Sequence, residues 1–172
     1  MKKSQLHTDE YAAYYGTYID TVTNEYNLVE ELEISVHRLV KFVQDIPMDK
    51  FDYRYAEGKW TIRQMLQHMI DTERVFSYRA TAFARGEQQG LPGFDENAYA
   101  AAADVTIRNF QEMKEELLIL RRSVHFMYKG FTLEALMAAG EANHNRVTVN
   151  ALGYIIVGHV RHHFRILKER YL

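Results

Sequence analysis

The chain has 172 residues, 47% of them hydrophobic, which suits one domain over residues 1–172 with a sizeable core. Its formal charge of −2 offers no basic footprint for nucleic acid, and no apolar run reaches the roughly 18 residues needed to span a membrane. With no cysteine, disulfides and thiolate metal sites are excluded, so any metal must be held by nitrogen and oxygen.

The first segment, Thr8 to Asn24, is aromatic but interrupted by Gly16, and reads as a helical turn within an arm packed on the body. From Leu28 to Gln44 the apolar residues Leu28, Leu32, Val36, Leu39 and Val43 recur at helical spacing, and Pro47 closes the helix. Phe51 to Trp60 reads as a loop. Thr61 and Gln64 form a capping box for a second helix that runs to about Arg85, where Gly86 is placed to stop it. Residues 86–99 form the longest loop, with three glycines and a proline, the composition of a lid or a binding wall. A third helix is expected from about Thr106 to Tyr128, a short one from Thr132 to Ala139, then a polar turn over 140–146. Thr148 opens the last helix. Four long helices joined by loops of varied length make an all-α four-helix bundle, with the first and fourth helices as the best amphipathic pairing.

The last helix carries the most pointed feature. At about 100° per residue, Leu152, Ile155, Ile156, Ile166 and Leu167 share one side, and His159 and His163 fall within about 20° of Leu152. His162 lies about 80° away, at the edge of the stripe. Two imidazoles four residues apart can converge on one ion, and equally can be two core histidines hydrogen-bonded to neighbours. His159-Val-Arg-His-His163 has the spacing of a zincin motif without the glutamate beside the first histidine, so a protease-type general base is missing.

On the second helix, His68 sits about 120° from Ile62 among Thr61, Met65, Thr72 and Arg79. Periodicity alone reads it as a surface or boundary histidine. Glu73 is the reverse, an acid in the middle of the apolar side that calls for an arginine or tyrosine partner. His37 and His144 read as solvent-facing or half-buried side chains.

Three segments in order, Tyr53 to Phe76 with Gly58-Lys-Trp60 and His68, then Leu91-Pro-Gly-Phe-Asp-Glu-Asn-Ala-Tyr99, then Gly158 to Tyr171, resemble the DinB-like proteins, above all the branch of bacterial YfiT-like metal-dependent hydrolases. The resemblance runs from about Tyr14 to Tyr171. It implies an up-down-down-up bundle with a long crossover connection, commonly a homodimer. It also implies a divalent metal ion, nickel or zinc, held by three histidines that align with His68, His159 and His163. All three are present.

The resemblance further implies a metal-dependent enzyme acting on a small-molecule substrate. That enzyme is either a hydrolase or a transferase of a low-molecular-weight thiol such as mycothiol or bacillithiol. The alternative is a stress-related metal-binding or interaction bundle without catalysis. The opening residues carry no signal-peptide h-region, and a cytoplasmic protein without nucleic-acid or membrane partners is expected.

Overall fold

A computed structural model describes residues 1–172. The arm ends in a one-turn helix, α1 (Gly16–Ile19), and leads into α2 (Leu28–Gln44). α3 (Ile62–Ala84), the short α4 (Glu96–Ala102), α5 (Phe110–Lys129) and the short α6 (Leu133–Met137) follow. A two-stranded hairpin, β1 (Ala139–Ala142) and β2 (Asn145–Thr148), leads into α7 (Val149–Arg170). No helix is long and apolar enough to cross a membrane.

Each long helix begins at a side-chain cap worth about 1 kcal/mol. Asn27 accepts from the amides of Val29 and Glu30, and Asn109 from those of Gln111 and Glu112. Thr148 accepts from Ala151, and Thr61 and Gln64 cap one another reciprocally. Gly86, at φ +85°, takes the left-handed conformation that ends α3.

Three expectations change. α5 starts at Phe110 and not near Thr106, because Asp104 caps a separate 3₁₀ turn (Val105–Ile107) and Asn109 supplies the true cap. The loop over 86–99 contains the start of α4, whose cap is Asp95, accepting from Asn97 and Ala98. The polar turn over 140–146 is the tip of the hairpin. Asn143 and His144 both have positive φ, as a two-residue turn between twisted strands requires.

Contacts fix the helix directions. α3 meets the segment leading into α5 and then α5 itself in the same ascending order, from Arg63 on Arg108 through Glu73 on Arg121 to Thr81 on Met127, so the two helices run parallel. α7 runs against α3, since His163 and His159 both face His68 and His159 also faces Phe76, farther along α3. α2 parallels α7, with Leu28 near Gly153 and Phe42 stacked on Phe164. The result is up-down-down-up, with α3 joined to α5 by the long crossover. α2 and α3 stand diagonally across the bundle, each between α5 and α7.

The core divides into two apolar halves. One holds Leu28, Leu32, Phe76, Phe83, Val124, Tyr128, Leu152 and Ile156, and the other Leu39, Phe42, Leu66, Met69, Met113, Leu117, Val160 and Leu167. Between them every long helix contributes buried polar side chains: Ser35 from α2, Thr72 and Glu73 from α3, Arg121 from α5 and His159 from α7. Arg121 donates to both oxygens of Glu73 at 2.7 Å, to Ser35 Oγ at 3.0 Å and to the Ile156 carbonyl at 3.1 Å. Glu73 thus has the arginine partner its place on the apolar side demanded. The four helices are fixed in register at the level of the histidines.

Candidate metal centre

The polar layer places three imidazoles on one point. The Nε2 atom of His68 lies 3.0 Å from that of His159 and 3.1 Å from that of His163, and the latter two are 2.9 Å apart. All three side chains are buried. Periodicity misplaced His68 because α3 contacts both α5 and α7, so a margin position of its apolar arc faces the bundle interior. The neighbours that made that face look mixed, Thr61, Met65, Thr72 and Arg79, are buried as well.

The rings are held by aromatic packing. Trp60 lies 4.8 Å from the His68 ring, and Tyr18 and Phe76 meet His159 edge-on at 5.3 and 6.1 Å. Tyr18 reaches there because α1 crosses α7 at Gly158, where a β-carbon would stand 2.1 Å from the Tyr18 carbonyl oxygen. Thr72 Oγ1 is 3.5 Å from His68 Nδ1, and buried His163 Nδ1 has no protein partner.

Burial sets the protonation. His68 is pushed down to about 4 by desolvation. His159 and His163 are driven well below the usual histidine range, first by burial and then by the neighbouring imidazoles. Three neutral rings therefore point nitrogens at a common centre. A ring nitrogen carries at most one proton, and each N–H serves one acceptor well, so three nitrogens at these separations cannot satisfy one another. The set fits a divalent cation. Ligands about 2.1 Å from one ion lie about 3.0 Å apart at right angles and about 3.4 Å apart at tetrahedral angles. His162, by contrast, is half-buried, packs edge-on against Tyr18 and His163, and brings no nitrogen to the cluster. His37 and His144 are exposed.

The sequence profile of the DinB superfamily matches residues 31–167. The chain belongs to the DinB superfamily. Among curated relatives, the "Putative metal-dependent hydrolase OB0413" of Oceanobacillus iheyensis is 24% identical over 87 residues, 51% of this chain and 50% of that protein. The protein BcerKBAB4_2443 of Bacillus mycoides, named in the same words, is 31% identical over 58 residues, 33% of this chain and 34% of that protein. The matched part of this DinB-superfamily chain thus spans about half the length of the first relative and a third of the second. YfiT from Bacillus subtilis is described as a probable metal-dependent hydrolase with an unusual four-helix bundle topology. It superposes with a TM-score of 0.73 over 83% of this chain and 82% of that one, at 19% identity. That likeness shows a common fold.

Two cavities open onto the histidines of this DinB-superfamily bundle. One, of about 280 Å³, exposes His68 and His159 and is walled by Tyr18, Phe76, Arg79 and Phe94. Glu96, in the first turn of α4, is its only carboxylate. The other, of about 240 Å³, exposes His163 beside Tyr55, Lys59, Trp60 and Tyr171. Asn97 of α4 lines the second cavity next to Glu96 on the first, so the crossover segment overhangs both. Arg79, Phe94 and Glu96 escaped the sequence reading as site residues. The available signal was the mixed face of the second helix, read there as a boundary.

Proposed function

We propose that this protein is a divalent-metal-dependent enzyme acting on a small molecule, with His68, His159 and His163 holding the metal. The observation that carries the reading is the convergence of three buried, neutral Nε2 atoms at 2.9–3.1 Å on a point that two cavities reach. Nickel and zinc both accept imidazole ligands, and such an ion supplies Lewis acidity and lowers the pKa of water. The names borne by the curated relatives agree with hydrolysis as the reaction class.

The protein's own groups divide the remaining work. The Trp60, Tyr18 and Phe76 rings pack against the imidazoles, and the Arg121–Glu73 brace ties together the helices that carry them. Glu96 is exposed at the cavity wall, where its carboxylate can accept or return a proton. The second cavity supports a second reading, transfer of a low-molecular-weight thiol. Two reactants could approach the histidine cluster from different sides, one toward His159 and one toward His163.

The test is an assay of metal-loaded protein against ester and amide hydrolysis substrates and against thiol–electrophile pairs, beside His163→Ala. Activity is expected for the loaded protein and lost in the variant. Activity unchanged by the substitution overturns the proposal. Protein that binds metal yet turns over neither substrate class points to a non-catalytic metal-binding bundle.

A further inference from the structure

Arg79 is a buried cation without a counter-ion. Its residue is 3% exposed, yet none of the protein's ion pairs involves it. Its one well-formed hydrogen bond is from Nη2 to the Pro92 carbonyl at 2.8 Å. A guanidinium carries five N–H donors. Arg79 lines the cavity that also exposes His68 and His159. The group lies 5.8 Å from the centroid of Phe76 and 5.9 Å from that of Phe94, with the Tyr15 phenol close by.

The other buried arginine shows what full satisfaction looks like here. Arg121 meets a carboxylate, a hydroxyl and a carbonyl. Taking a guanidinium out of water without such partners is unfavourable, so an anion that supplies them is stabilised there. Arginine's planar fork matches a carboxylate through two parallel N–H···O bonds.

We propose that Arg79 binds the carboxylate of the substrate, and that the substrate is a small organic acid with an apolar or aromatic body. A single fixed positive charge, with Glu96 as the only acid on the same cavity wall, suits a monoanion better than a phosphate dianion. Tyr14, Tyr18, Phe76 and Phe94 supply the apolar surface. His68, Thr72, Phe76 and Arg79 form one stripe of α3, with His68 and Arg79 about three turns, or roughly 16 Å of rise, apart. The arginine side chain leans back toward the helix start. A carboxylate held at Arg79 leaves the rest of the molecule in the same cavity that exposes His68 and His159. The assignment of this anion as the substrate rests on the enzymatic reading above, while the binding of the anion does not.

The test uses chelator-treated, metal-free protein, so that no anion can bind through an ion. Phenylacetate and the isosteric neutral phenylacetamide are titrated by calorimetry into the wild type, Arg79→Gln and Arg79→Lys. Phenylacetate is expected to bind wild type at least about tenfold more tightly than the amide. That preference should vanish in Arg79→Gln and fall to an intermediate value in Arg79→Lys. Arg79→Gln should also melt no lower than wild type, since it removes an unpaired buried charge. Equal binding of acid and amide by wild type overturns the proposal, as does a preference that survives in Arg79→Gln. A lowered melting temperature of Arg79→Gln with no acid preference in wild type assigns Arg79 to anchoring Pro92 only. Failure of the metal reading appears separately, as wild type that takes up no ion.

Discussion

Replacing Arg121 with methionine removes the brace that holds the histidine layer. The Arg121 and Glu73 side chains are 1% and 2% exposed, so solvent does not screen their interaction. The substitution leaves the Glu73 carboxylate, already pushed upward in pKa by burial and restrained only by Arg121, without any partner. Breaking such a buried pair from one side costs about 3–5 kcal/mol. That is a large share of the roughly 5–15 kcal/mol that holds a domain together. Replacing both partners, as in Glu73→Leu with Arg121→Met, should leave stability within about 1–2 kcal/mol of wild type, because no orphaned charge remains.

Urea unfolding of the single and double variants, extrapolated linearly, measures both quantities. The pH dependence supplies a second sign. In Arg121→Met the folded-state pKa of Glu73 lies above its unfolded value, so the folded state holds more protons. The variant should therefore recover stability as pH falls through that raised pKa toward the unfolded one, near 4.3. An Arg121→Met protein within about 1 kcal/mol of wild type at neutral pH, or one that loses further stability on mild acidification, would refute the reasoning.

Gly158→Ala should destabilise the fold by about 1–3 kcal/mol, because the added β-carbon would stand 2.1 Å from the backbone oxygen of Tyr18. Urea unfolding checks this, and an alanine variant as stable as wild type contradicts the close crossing of α1 over α7. Bound metal should also survive mild acid. A ligand whose pKa is depressed stays a free base as pH falls, so protons compete at His68 only near 4, below the ordinary histidine value of about 6.5. Metal retained through about pH 5.5 in an equilibrium dialysis series agrees with this, and release with a midpoint near 6.5 contradicts it.

The sequence carried the bundle well, since α2, α3 and α7 combine strong helical periodicity with explicit caps at Asn27, Thr61 and Thr148. It carried His159 and His163 as an inward pair for the same reason. His68 was legible only through resemblance, because one helix's periodicity cannot say that its margin faces a third helix. α4 was hidden by its seven-residue length within a glycine-rich stretch. The hairpin was hidden because its turn uses Asn143 and His144 at positive φ where glycine is the usual signal. Arg79 was visible as a charge on a mixed face, but its lack of a counter-ion is a property of the packed structure.

Metal content of untagged protein, measured by plasma mass spectrometry after purification without chelator, tests the central claim most directly. Wild type and His162→Ala should each carry about one divalent ion per chain, while His68→Ala, His159→Ala and His163→Ala should carry almost none while remaining folded. Wild type that stays empty under nickel and zinc supplementation, or a folded His163→Ala that keeps its ion, would contradict it.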